Sequence, residues 1–197
     1  MSTEPTNANA GMIERIKNIL LQPQAEWDRI AGEPADVSKL YLGYVLPLAA
    51  FAALCSFVGF TLLWGFSVRT LVGAVVQTGV GAAGVFIMAY IANTLAPNFG
   101  SQQDMGQAHK LAAYGATAGF LANVFLIVPA LAMLAIVGLY SLALLYIGLP
   151  RLMKTPEDKR IAFLAVIVLV AIVVWILIGT VLAATGLSPG PRIADLY

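Results

Sequence analysis

Apolar residues fall into two patterns along this chain. From Met12 to Leu21 they recur at helical spacing, with Met12, Ile13, Ile16, Ile19 and Leu20 on one side and Glu14, Arg15, Lys17 and Asn18 on the other. That spacing predicts a short amphipathic helix. Pro23 suits the first position of a second helical turn or two carrying Trp27 and Ile30. After Asp36 the pattern changes to long apolar runs with short polar breaks. Such runs read as membrane spans, at about 40–64, 70–95, 108–125, 130–149 and 160–184. The predicted fold class is an all-α integral membrane protein, with five transmembrane helices preceded by a short amphipathic N-terminal helical segment. Residues 1–11 read as a disordered tail, 12–36 as a cytoplasmic amphipathic segment, 37–185 as the membrane domain and 186–197 as an extracytoplasmic tail.

The polar breaks carry start and stop signals. Ser38 reads as an N-cap for the first span, and Pro47 inside it predicts a kink. Asp104-Met105-Gly106-Gln107 has capping-box spacing. The third and fourth spans must turn near Asn123–Pro129. Gly148-Leu149-Pro150 reads as the stop of the fourth span, with Gly148 tolerating a turn. Thr155-Pro156-Glu157-Asp158 supplies a cap, a first-turn proline and first-turn acids for the fifth.

Lys and Arg favour cytoplasmic loops. Five spans place Arg15, Lys17, Arg29, Lys39, Lys110, Arg151, Lys154, Lys159 and Arg160 on one side, against Arg69 and Arg192 on the other. The N-terminus and the 151–160 loop are therefore expected in the cytoplasm and the C-terminus outside. The bland expectation for the loop cations is contact with anionic lipid. The sharper one is that Met12–Ile30 docks on them, with Glu14, Glu26 and Asp28 supplying opposite charge. The amphipathic segment itself could lie on the bilayer or pack against the membrane domain.

Composition narrows the function classes. The chain of 197 residues is 60% hydrophobic and 11% charged, whereas soluble domains are about half apolar and a quarter charged. A net charge of +1 argues against a nucleic-acid partner. The single cysteine, Cys55, excludes a disulfide framework and a cysteine metal site. Gly79-Val80-Gly81-Ala82-Ala83-Gly84 matches GxGxxG, but it lies in a span with no strand before it, so it reads as helix packing rather than nucleotide binding. His109 is the only histidine and has no acidic cluster near it. No charged residue sits centrally in a span, where ion-coupled transporters place them. No catalytic residue, cofactor or metal is expected, and the chain does not read as an enzyme.

Two stripes of small and amide side chains stand out. Gly73, Gln77 and Gly81 lie four apart on the second span, and Gly115, Gly119 and Asn123 on the third. Buried amides need partners, so the stripes are expected to face each other or a shared interior. Packing and a polar cavity both fit. Trp27 is expected as an interface anchor. Tyr114, Tyr140 and Tyr146 fall near span ends or within apolar runs, and the deeper Tyr140 needs a hydrogen-bond partner.

Several stretches resemble the Yip1 domain family in its prokaryotic branch. They are Leu21-Gln22-Pro23 with Glu26-Trp27 and Ile30; Tyr41 with Pro47-Leu48-Ala49-Ala50; and Ala112 to Thr117. The most specific is Leu139-Tyr140 with Leu144-Leu145-Tyr146-Ile147-Gly148-Leu149-Pro150 and Met153-Lys154-Thr155-Pro156. The resemblance implies a five-span fold with a cytoplasmic N-terminus, in the inner membrane of a prokaryote. It also makes Trp27, Tyr140, Tyr146, Gly148, Leu149, Pro150 and Lys154 candidates for a family surface. Eukaryotic members bind Rab-type GTPases, and their Asp-Leu-Tyr-Gly-Pro motif is not intact here: Lys39 stands for the acid, and Leu42-Gly43-Tyr44 follow Leu40-Tyr41. A GTPase partner is therefore doubtful. The leading expectation is a non-enzymatic membrane scaffold or partner-binding module, contacting membrane lipids and another membrane or peripheral protein, with room for a homo-oligomer. The alternative is a binding or passage site for a small apolar or lipid-like solute.

Overall fold

The computed structural model describes residues 11–184; Arg192 and both expected tails, Gly11 apart, lie outside the described residues. The described residues form helices and no strands. Helices α1 (Met12–Leu21) and α2 (Pro23–Gly32) form a hairpin, Pro23 taking the first position of α2. Helix α3 runs over Val37–Trp64. Its N-cap is Asp36, whose side chain accepts from the Lys39 amide at 2.9 Å, rather than Ser38.

Pro47 does not break α3. A π-helical stretch, Tyr41–Val45, lies just before it. A proline lacks its N–H and crowds the carbonyl four residues back, here Gly43. The wider π turn at that point absorbs the crowding. Helix α4 (Val68–Leu95) ends in a 3-10 turn, Ala96–Phe99, closed by left-handed Gly100. Helix α5 (Met105–Gly115) is capped by Asp104, which accepts from the Gln107 amide at 3.0 Å. The Gln107 side chain reaches Ala31 O at 3.5 Å instead of completing the box. Helix α6 (Thr117–Ala122) and a 3-10 turn, Asn123–Leu126, follow.

Four helices are long and apolar enough to cross a membrane: Val37–Trp64, Val68–Phe99, Ala130–Leu152 and Glu157–Val181. The expected third span, near 108–125, is different in kind. Every residue from Ala108 to Gly115 is buried within the protein. Helix α5 is the central post of the bundle, which is how it accommodates His109 and Lys110.

The fourth apolar run begins as a 3-10 helix over Pro129–Leu139 and becomes α7 (Tyr140–Leu152). Side chains three apart eclipse in a 3-10 helix, so one ridge carries Met133, Ile136 and Leu139, exposed by 87, 66 and 60%. Ala135, Gly138 and Ser141 fall on the covered side. A Cβ on Gly138 would stand 3.1 Å from Ala122 Cβ, so the glycine permits a close approach to α6.

The expected stop at Gly148-Leu149-Pro150 is corrected. Helix α7 continues through Pro150 to Leu152. Pro150 forfeits the bond its own amide would have made to Tyr146 O and crowds that carbonyl, but the helix closes only two residues later. The reversal comes later, at Lys154, the one non-glycine residue with positive φ (52°) among the described residues. Helix α8 (Glu157–Ala184) starts at the acids. The buried Thr155 hydroxyl is turned back instead, donating to Leu149 O at 3.2 Å and pairing with Ser101 Oγ at 2.9 Å.

Candidate functional site

The first assembly is the α1–α2 hairpin seated on one end of the bundle. Trp27, expected at the headgroup level, is fully buried and meets Tyr114 edge-on at 6.3 Å between ring centroids. It also lies against Gly148. A Cβ there would stand 2.7 Å from Leu111 Cδ1 and 2.9 Å from Trp27 Cζ2. Gly148 thus serves a close approach between α2 and α7, not a turn. The indole Nε1 finds no acceptor among the described residues. Leu149 is fully buried beside this contact. The Tyr140 hydroxyl donates to Leu20 O at 3.1 Å, tying α7 to the end of α1. Tyr146 lies under the Arg160 guanidinium at 5.0 Å.

Charges fasten the same assembly. Arg15 donates to Glu26 at 2.5 Å and to Glu33 at 2.6 Å. Burial lowers its proton affinity, but the Glu33 hydrogen bond and the surrounding charge outweigh that and raise it. Lys110, from α5, donates to Ile30 O at 2.9 Å, to Glu33 O and to Gln107 Oε1. The last carbonyls of a helix are otherwise unpaired, so a cation from another helix caps α2 here. At the rim Arg151 Nε donates to Asp28 Oδ1 at 2.7 Å, and Lys154 Nζ to Arg151 O at 3.2 Å.

Helix α1 seats most of the face its periodicity picks out: Ile19 is fully buried, and Met12, Ile16 and Leu20 pack partly buried against the core, while Ile13 is 83% exposed. Arg15, expected on the polar side, is buried with them, and Leu21 beyond that face is 69% exposed. An apolar count cannot find the burial of Arg15, whose partner is a carboxylate pair. Lys110 did leave a signal: a lone cation leading into an apolar run needs acceptors.

The second assembly lies within the bundle. Gln77 Nε2 donates to Ser56 Oγ at 3.3 Å, and Ser56 reaches Asn123 Oδ1 at 3.4 Å and Ala52 O at 3.1 Å. Asn123 Nδ2 donates to Gly119 O at 2.9 Å. The two amides therefore meet through Ser56 of α3, a residue sequence reasoning passed over. Of the two expected arrangements, the stripes do not pack glycine against glycine, but Gln77, Gly81, Gly115, Gly119 and Asn123 all border one shared interior. A Cβ on Gly115 would overlap Leu145 of α7, and one on Gly119 would touch Ser141 Oγ at 3.4 Å. Gly81 packs against Ala49 of α3 and Phe120 of α6, a Cβ there standing 3.3 Å from each. Gly73 is buried on α4. Between these elements lies a cavity of about 470 Å³, bordered by Ala52, Gln77, Gly81, Asn123, Ser141 and Trp175 among others.

Other polar groups are satisfied locally. His109 is buried, bonds Tyr41 OH through Nδ1 at 3.0 Å and packs on Phe86. Tyr44 OH pairs with Thr117 Oγ1 at 2.8 Å. A cavity of about 580 Å³ beside α1 and α5 borders Arg15 and Lys110, but both cations are engaged by carboxylates and carbonyls. Among the described residues no cluster of His, Cys, Asp and Glu could hold a metal ion.

The Yip1 domain profile matches residues 17–178, and the chain belongs to the Yip1 domain family. It is similar to the inner membrane protein YohC of Escherichia coli, in strain K12 and in strain CFT073 of serotype O6:H1. Each is 27% identical over 165 residues, covering 77% of this chain and 85% of the relative. No solved structure matches it.

Proposed function

We propose that this Yip1 domain membrane protein is a non-enzymatic scaffold of a prokaryotic inner membrane that presents the α1–α2 hairpin to a partner in the cytoplasm. The observation that carries the reading is the way the hairpin is held. Trp27 is wedged at Gly148, and Lys110 closes the end of α2, so the hairpin is a fixed platform rather than a loose amphipathic tail. On that platform Ile13 and Leu21 remain exposed beside charged residues, the mixture of apolar anchor and polar surround that a partner surface needs.

In this reading α5, α6 and the turn after them make a fifth crossing. The 22 residues of Met105–Leu126 reach roughly 33 Å at about 1.5 Å each, enough for a hydrocarbon core of about 30 Å. The crossing is lined by protein instead of lipid. The N-terminus lies inside, by the excess of cations at the hairpin end. The inner membrane follows from the similarity to YohC.

Photocrosslinking from Ile13 tests the platform. A benzophenone amino acid there, in intact cells, is expected to yield a discrete protein adduct that an added Leu21→Asp substitution abolishes. Adducts to lipid alone, unchanged by Leu21→Asp, would overturn it.

A further inference from the structure

The cavity inside the bundle has a shape that selects its occupant. Its α4 wall runs from Gln77 to Met88, twelve residues and eleven rises, so roughly 16 Å of helix. Its volume of about 470 Å³ divided by that length is a cross-section of about 30 Å². That is too narrow for a helix, whose diameter with side chains is about 10–12 Å, and suits a single hydrocarbon chain. Most of the wall is small or apolar: Ala52, Gly81, Val85, Met88 and Leu145 among others.

One end differs. Gln77, Asn123 and Ser141 all border the cavity. Ser141 Oγ accepts from the Gly119 amide at 2.9 Å, which leaves its hydroxyl proton to give. The carbonyl oxygen of Gln77 accepts no hydrogen bond among the described residues, while one N–H of its amide goes to Ser56. A chain ending in ester, carboxyl or hydroxyl oxygens would find a donor at Ser141 and an acceptor at Gln77. Trp175 of α8 forms a further wall, its ring 3.4 Å from where a Cβ on Gly84 would stand.

We propose that this cavity is a lipid site holding one hydrocarbon chain, with the oxygen-bearing end at Gln77, Asn123 and Ser141. The inference goes beyond the partner platform and does not rest on it, since the two assemblies share no contact residue.

Two photoreactive probes test it in vesicles of phosphatidylethanolamine and phosphatidylglycerol: a diazirine-bearing palmitic acid and a phosphatidylglycerol with the same chain. The full-length protein is reconstituted, irradiated and mapped by peptide mass spectrometry. The expected result is saturable labelling of the Gln77–Met88 peptide that an excess of the unlabelled chain reduces at least fivefold. Labelling by the free acid alone, or by the phospholipid alone, upholds the site and names the source of the chain. Ala116→Leu, which fills the cavity, is expected to lower labelling of that peptide at least fivefold, while labelling of the Ile161–Leu169 stretch, exposed at both ends and away from the cavity, stays unchanged. Labelling that is non-saturable in the unaltered protein, or equal across the cavity and the Ile161–Leu169 stretch, would overturn the proposal whether or not the variant folds.

Discussion

Gly148 lies under the six-membered ring of Trp27: a Cβ in place of its hydrogen would stand 2.9 Å from Cζ2 and 3.0 Å from Cε2. Gly148→Ala should therefore push the α1–α2 hairpin off α7. Overpacking costs about 1–3 kcal/mol, against a gain of about 1 kcal/mol from better helix propensity, so a net loss is expected. Trp27→Ala should cost about 3–5 kcal/mol. Because the two share one contact, the double variant should lose less than the two separate losses combined. Thermal unfolding in detergent reads all three, and strict additivity would mean the ring and the glycine act independently.

The Arg15–Glu26 pair makes a separate prediction. Its side chains are 7% and 5% exposed. Removing one partner of a buried pair leaves a charge without compensation and typically costs about 3–5 kcal/mol. Glu26→Ala is expected near the lower end, since Glu33 still holds Arg15. Arg15→Met with Glu26→Leu should cost less than Glu26→Ala alone, because the buried cation goes with its buried partner and the charge left, Glu33, is a quarter exposed to solvent. Chemical unfolding of the three proteins checks the order.

Lys110→Met removes the donor that closes α2. An unpaired buried carbonyl costs about 1–3 kcal/mol; here Ile30 O keeps the Glu33 amide and Glu33 O is part-buried, so the lower end is expected. The hairpin should open more often, and trypsin should cut after Arg29 faster than in the unaltered protein. The cleavage rate after Arg69, at the far end of the bundle, serves as the control and should not change.

Orientation can be read with impermeant thiol reagents in a Cys55→Ala background. Glu157 and Phe66 are both exposed, at opposite ends of the bundle. Glu157→Cys should be protected in intact cells and Phe66→Cys labelled. The reverse pattern would put the α1–α2 hairpin outside.

The long apolar helices were legible because nothing competes with their signal. The spans expected at about 70–95 and 160–184 compare with Val68–Leu95 and Glu157–Ala184. The Asp104 cap was legible for the same reason: its partner is three residues away. Trp27 was not, since an indole at the headgroups and one in a core present the same sequence context. Gly148 was misread because a glycine before Leu-Pro signals a turn as readily as a close approach, and only the indole distinguishes them. The turn at Lys154 left no mark, as a lysine with positive φ follows from what surrounds it. In the cavity both amides were visible, but Ser56, which joins them, sits in an unremarkable apolar run.

The 3-10 stretch at Pro129–Leu139 also sets how this part of the chain tolerates changes in length. With three residues per turn and about 2.0 Å of rise each, deleting Ala132–Leu134 would shorten the segment by about 6 Å. Ala135, Gly138 and Ser141 would still point at α6, because a whole turn is lost. Deleting a single residue would rotate the upstream part by a third of a turn and bring a leucine or methionine to a face kept clear for small side chains. Length should vary here in threes, a periodicity that no α-helical crossing would show.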